Sequence, residues 1–236
     1  MGLNEKFFAS SGCTAPPTTG LQLHLDASDT NSYSGSNTTW TDLSGNNNDA
    51  TLVNMTSSNW NSGGYFNLDG SNEDFSINHS NFSSASPLTI SAWVNVSDFT
   101  TFRSIFSLRG FSSPSVKILV AMNADKTIRF DSASSNGYLT LGVTSVANGI
   151  PSTGQWVLIT AIVDYGTKAY RLYRNTDLVL SGTNSNIRNA GDFGADTFSL
   201  GSNKQIQYFK GAISKFRVYN RVLIQDEVDN LYCEGE

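Results

Sequence analysis

The feature that most constrains this chain is a succession of short strand-like runs, separated by turn residues, with almost nothing helical between them. The first run, at 21–26, alternates strictly and sets Leu21, Leu23 and Leu25 on one face and Gln22, His24 and Asp26 on the other. Similar runs recur at 65–68, 74–78, 88–97, 103–108, 116–122, 127–131, 138–143, 155–164, 169–174, 178–180, 197–200 and 208–219. Residues 27–62 are rich in Asn, Gly and Asp and broken by Trp40, Leu43 and the apolar stretch 50–53, the pattern of an ordered loop region crossed by short strands. Residues 123–126 and 175–177 read as hairpin turns, the second a three-residue connection. Only 225–232, with Val228, Leu231 and Tyr232 on one side, predicts a helical turn or two. Short strands in this number without intervening helices predict an all-β sandwich or jelly roll.

At 236 residues the chain can bury about 72% of its unfolded surface, enough for a core that needs neither metal nor disulfide. No internal repeat or change of composition divides it, so 21–232 is predicted to be one domain, preceded by an arm at 1–20 and followed by a tail at 233–236. The 15 Lys and Arg against 20 Asp and Glu give a net charge of −5 with no basic block, which removes the electrostatic term that nucleic-acid binding needs. No apolar run is long enough to span a membrane, and the first residues lack the apolar stretch of a secretory leader, so no membrane and no secretory route is expected. In the arm, Leu3, Phe7 and Phe8 follow no alternating pattern; left in water they would be unfavourable, which makes them candidates to dock on a neighbouring subunit.

Several segments, taken in order, resemble the laminin-G-like, concanavalin A-like lectin/glucanase jelly rolls. They are Leu23-His24-Leu25-Asp26-Ala27-Ser28-Asp29, Trp40-Thr41-Asp42-Leu43-Ser44-Gly45-Asn46-Asn47-Asn48-Asp49, Tyr65-Phe66-Asn67-Leu68-Asp69-Gly70, Leu88-Thr89-Ile90-Ser91-Ala92-Trp93-Val94, Gly154-Gln155-Trp156-Val157, and the closing stretch from Gly211-Ala212-Ile213 to Leu223. The resemblance implies a single jelly-roll β-sandwich with an N-terminal arm and a short C-terminal helix. It does not choose among the lectins, glycosidases, adhesion modules and structural parts built on that fold. The opening Leu3-Asn4-Glu5-Lys6-Phe7-Phe8 also resembles the start of tailed-phage virion proteins that carry such modules. That likeness implies a virion component made in the host cytoplasm, for capsid decoration or as part of a tail or fibre. Its partners would be other virion proteins or copies of itself held through the arm.

The residues bear on chemistry as follows. Glycosidases of this fold resemble one another in a Glu-x-Asp-x-Glu strand, since retaining hydrolysis uses two carboxylates about 5 Å apart. The glutamates here, Glu5, Glu73, Glu227, Glu234 and Glu236, make no such pattern, and His24 and His79 lie without a nucleophile elbow, so no enzyme is expected. The loop 42–49 offers hard oxygen ligands and a glycine for a tight bend, as calcium requires. Asp42 and Asn46 are the first candidate ligands for a structural calcium, with Asp69 and Asp29 as partners from adjacent loops; the alternative is that these side chains only cap turns. Relatives often carry an aspartate where Ser214 stands, a departure that weakens the site. Trp60, Tyr33 and Trp93 are candidate platforms for a sugar ring, with Tyr65 behind them, while Trp93 and Trp156 also fit the burial that large aromatics usually supply in sandwiches. Cys13 and Cys233 could staple first strand to last, but in a cytoplasmically assembled protein two free thiols are expected. The leading expectation is a non-enzymatic virion module that contacts cell-surface glycans through its loops. The alternative is a stand-alone bacterial lectin.

Overall fold

The computed structural model describes residues 13–78, 87–110, 116–134, 137–188, 196–203 and 206–235. Leu3, Phe7, Phe8 and His79 lie outside these residues. Sixteen strands are formed among the described residues: β1 Leu21–Asp26, β2 Thr39–Trp40, β3 Ala50–Val53, β4 Trp60–Asn61, β5 Tyr65–Asp69, β6 Asp74–Asn78, β7 Leu88–Val96, β8 Arg103–Gly110, β9 Val116–Met122, β10 Ile128–Ser134, β11 Gly137–Val143, β12 Trp156–Asp164, β13 Ala169–Arg174, β14 Asp177–Thr183, β15 Asp196–Leu200 and β16 Lys210–Tyr219. One helix, α1, follows at Gln225–Cys233. The predicted runs match strands in order, and the helix lies where the periodicity placed it. The turn between β13 and β14 is shorter than expected: Arg174 pairs with Asp177, leaving only Asn175 and Thr176 between them, and Asn175 takes the positive φ (55°) that Asn tolerates.

Two antiparallel sheets face each other. Sheet A runs β14-β13-β12-β7-β16-β5-β4, with β1 also on β16; sheet B runs β11-β10-β9-β8-β15-β6-β3-β2. The alternating apolar sets meet between them: Leu23 and Leu25 of β1, Ile90, Ala92 and Val94 of β7, Val157, Ile159 and Ala161 of β12, and Phe216 and Val218 of β16 pack with Phe75, Ile118, Val120, Phe130 and Phe198 of sheet B. In β16 the register shifts between Ile213 and Phe216, so one strand serves two neighbours on the same side, β5 along its first half and β1 along its second. Gly211 belongs here by necessity, since its φ is +150° and a Cβ would stand 2.1 Å from the Asn95 carbonyl oxygen.

Polar alternation on the outer face of sheet A is only partly solvated. Helix α1 lies over it, and Val228 and Leu231 close a second apolar cluster with Trp93, Leu158, Ile162, Tyr173, Tyr219 and Leu223. The 13–20 segment is fixed to the same region. Cys13 is disulfide-bonded to Cys233 with Cα atoms 6.1 Å apart, the Thr14 N–H donates to Asn230, and Arg221 donates to the Thr19 carbonyl. The expectation of two free thiols is therefore corrected: β1 lies beside β16, and α1 returns along that edge, so both cysteines reach bonding distance. Residues 13–20 are thus part of the domain rather than of a free arm. No helix among the described residues is long and apolar enough to cross a membrane.

Candidate functional site

The candidate aromatic platforms do not share one surface. Tyr33 is 1% exposed, wedged between Trp60 and Phe66, with its hydroxyl donating to the Asn37 carbonyl, and so cannot meet a sugar. Trp93 does point away from the inter-sheet core, as its alternation predicts, but it is 3% exposed because Tyr232 stacks on it at 5.4 Å. Both platform assignments are corrected; the cause for Trp93 is the helix that covers its face. Trp60 is half-buried: its Nε1 donates to the Ala27 carbonyl and its ring lies against Gly35 and the Tyr33 side of the core.

The exposed indole is Trp156, at 36%, a residue whose size suggested the core. Its phase decides its side, since Val157, Ile159, Ala161 and Val163 all enter the core and Trp156 belongs to the opposite set. That signal was present in the sequence. Its ring meets Tyr65 edge-on, centroids 5.7 Å apart at 66°. Register places Trp156 opposite Asn95, Asn95 opposite Ala212 and Ala212 opposite Asn67, one lateral row across four strands. The Trp156 and Tyr65 rings meet across this row, over the small Ala212, which is 7% exposed. Asn67 is exposed and Asn95 half-buried, so amide donors and acceptors stand beside an apolar ring face. An apolar ring face beside amides is chemistry suited to a polar molecule that has one apolar face.

The calcium candidates are engaged in contacts within the chain. Asp42 spends both carboxylate oxygens on the loop itself: Oδ1 accepts from the His24 and Ser44 N–H groups and Oδ2 from the Ser44 hydroxyl and the Asn48 N–H. Asn46 donates its amide to the carbonyls of Leu21 and Gln22, Asp29 accepts from Asn31, and Asp69 accepts from the Ser71 N–H. The turn-capping alternative describes these contacts. Among the described residues, the His, Cys, Asp and Glu side chains close enough to share an ion are instead His24, Asp26 and Glu234.

That trio is already neutralised by two cations from β16. Arg217, almost fully buried, grips Glu234 with both terminal nitrogens at 2.6 and 2.8 Å and donates to His24 Nε2 at 2.7 Å. Lys215 reaches Asp26 at 3.3 Å and Glu234 at 3.8 Å. Burial, then the Arg217 charge, lower the His24 pKa to about 4, so the ring is neutral and Nε2 accepts. Burial raises Asp26 and Glu234, but the adjacent Lys215 and Arg217 outweigh it and both are held below their ordinary values. A divalent ion would have to displace both cations, so the cluster is a charge network rather than a metal centre. The sequence placed His24 correctly opposite the leucines, but nothing in it showed that Glu234, 210 residues later, would cover it.

The Laminin_G_3 family model, described as the concanavalin A-like lectin/glucanases superfamily, matches residues 69–229, more than half of the chain. The chain belongs to this superfamily. No curated protein matches the chain. Among solved structures it is similar to the Ruminococcus gnavus IT-sialidase CBM40 bound to α2,3-sialyllactose, with 14% identity and a TM-score of 0.60 over 71% of this chain and 96% of that one. It is also similar to the receptor-binding domain of botulinum neurotoxin C/D mosaic serotype, with 17% identity and a TM-score of 0.67 over 93% of this chain and 52% of the other. Trypanosoma rangeli sialidase gives 14% identity and a TM-score of 0.69 over 94% of this chain, which spans about a third (34%) of the enzyme. At these identities the likeness is one of fold.

Proposed function

We propose that the chain is a carbohydrate-binding module without hydrolytic activity of its own, contacting glycans through the outer face of sheet A. The observation that carries this reading is the exposed Trp156, with half-buried Tyr65 against it, beside Asn67 and Asn95. A pyranose presents C–H groups to an indole face while its rim hydroxyls hydrogen-bond to amides. The superfamily and its structural neighbours, a carbohydrate-binding module among them, are consistent with it. The non-enzymatic part rests on the absence from the sequence of a Glu-x-Asp-x-Glu strand.

The lectin-like reading now ranks ahead of the virion component. Residues 13–20, assigned from the sequence to a docking arm, are fixed to the domain by the Cys13–Cys233 bond. A disulfide also fits an oxidising compartment better than assembly in a cytoplasm. The test is a glycan array probed with the wild type and Trp156→Ala. Binding that Trp156→Ala abolishes, with melting unchanged, is expected; glycans bound equally by both forms would refute this face, and new reducing ends in any bound polysaccharide would refute the non-enzymatic reading.

A further inference from the structure

The chain from Tyr232, in the last turn of α1, to Gly235 occupies the outer face of sheet A in the manner of a ligand. Its Glu234 carboxylate lies in a fork of Arg217 with Lys215 alongside, and the Tyr232 ring stacks on Trp93 at 24°. Gly235 lies directly on the Trp93 indole, where a Cβ would stand 2.4 Å from Nε1. Two buried donors facing this segment, Trp93 Nε1 and the Tyr219 hydroxyl, have no hydrogen-bond partner, an unusual cost for side chains 3% and 0% exposed. A segment that served only to cover the sheet would be expected to satisfy them or to leave apolar groups there. The unmet donors, the paired cations and the aromatic floor together describe a site for a ring that carries a carboxylate and hydroxyl acceptors, of which the chain's own residues fill only the carboxylate and ring positions.

The site lies on the same outer face of sheet A as Trp156. The outer row is Trp156, Asn95, Ala212 and Asn67; four residues along β12 and β7, about 14 Å, and five along β16 past its bulge, the row is Thr160, Ser91 and Arg217, with His24 of β1 beside Arg217 where β5 no longer pairs. Trp93 stands between them on β7.

We propose that Arg217, Lys215, Trp93 and Tyr219 form a carboxylate-binding subsite, filled in the free protein by Glu234, and that its ligand class is acidic sugars whose carboxylate replaces that of Glu234. The proposal rests on the outer face of sheet A being the glycan surface, but its test is independent of Trp156. Because the Glu234 side chain must leave first, the apparent affinity of the wild type is reduced by the fraction of molecules in which it is out.

The experiment measures the melting temperature of the full chain and of Glu234→Ala against free glucuronic acid, glucose, acetate and sodium chloride at equal ionic strength. The expected result is that glucuronic acid raises the melting temperature of Glu234→Ala with an apparent affinity at least about tenfold tighter than that of the wild type, and that glucose and sodium chloride do not. Adding Arg217→Gln to Glu234→Ala, or Lys215→Met should the first double variant fail to fold, should remove the response. Equal responses to glucuronic acid and sodium chloride, or none in Glu234→Ala, would overturn the subsite. Equal responses to acetate and glucuronic acid would overturn the sugar-acid assignment, and equal affinity in wild type and Glu234→Ala would overturn the self-occupancy. Failure of glycan binding through Trp156 would appear instead on the array, with the glucuronic acid response of Glu234→Ala intact.

Discussion

Acidification should weaken the fold first through His24, before the stabilising charges of Asp26 and Glu234 are lost. The ring is held neutral in the native state, its pKa lowered to about 4 by burial and by Arg217, with Lys215 acting the same way and Glu234 and Asp26 opposing. In the unfolded chain the ring takes its proton near the ordinary value of about 6.5. Between these values the unfolded state binds a proton that the native state refuses, so stability rises with pH and falls as pH drops. From pH 7 to pH 5 the loss works out at about 2 kcal/mol, levelling off near ~3 kcal/mol below pH 4. Because the ring is partly exposed these are upper figures. For a domain of this size the loss at pH 5 corresponds to a fall of about 4–8 °C in melting temperature. Asp26 and Glu234, both lowered, contribute stability that is present above their unfolded values and lost only at more acid pH, which separates the two windows. Urea melts of wild type and His24→Asn at a series of pH values measure the difference directly. Stability curves that run parallel between pH 7 and pH 5, or an NMR titration of the His24 ring centred near 6.5, would refute the reasoning.

Removing the Cys13–Cys233 bond by Cys13→Ser with Cys233→Ser releases a closure spanning 220 residues, for which loop entropy sets a cost of about 5 kcal/mol and measured losses run about 2–5 kcal/mol; the expected result is a large fall in melting temperature that a dithiol reductant reproduces in the wild type and does not add to in the double variant. Leu231→Ala, at a side chain 1% exposed beneath α1, should cost about 2–5 kcal/mol, and loosening of α1 should shift Trp93 fluorescence to the red; a loss well under 1 kcal/mol would mean that α1 contributes little to covering sheet A.

The strand order along the chain, the core-facing residues of β7, β12 and β16, Leu23 and Leu25 of β1, and the helical turns at 225–232 were legible in the sequence, because side-chain alternation and 3.6-residue periodicity are local properties of the backbone; Leu21, read with those leucines, lies past a register shift and packs in the outer cluster instead. The absence of a glycosidase carboxylate pattern was legible for the same reason. The outward side of Trp156 could also be read from its phase against Val157 and Ile159, yet its size argued for burial, and phase prevailed. For Asp42 and Asn46 the composition allowed both cation ligation and turn capping; only the positions of the His24, Ser44 and Asn48 donors decided between them.

What only the tertiary structure decided depends on contacts between distant residues. Alternation states that Trp93 and His24 leave the inter-sheet core, but whether the outer face meets water or protein is set by where α1 returns, and that return puts Tyr232 on Trp93 and Glu234 on Arg217 and beside His24. The pairing of Cys13 with Cys233 has the same origin, since it follows from β1 lying against β16 and not from any spacing along the chain. A period of two fixes the side of a sheet on which a residue stands, and long-range packing fixes what it faces there.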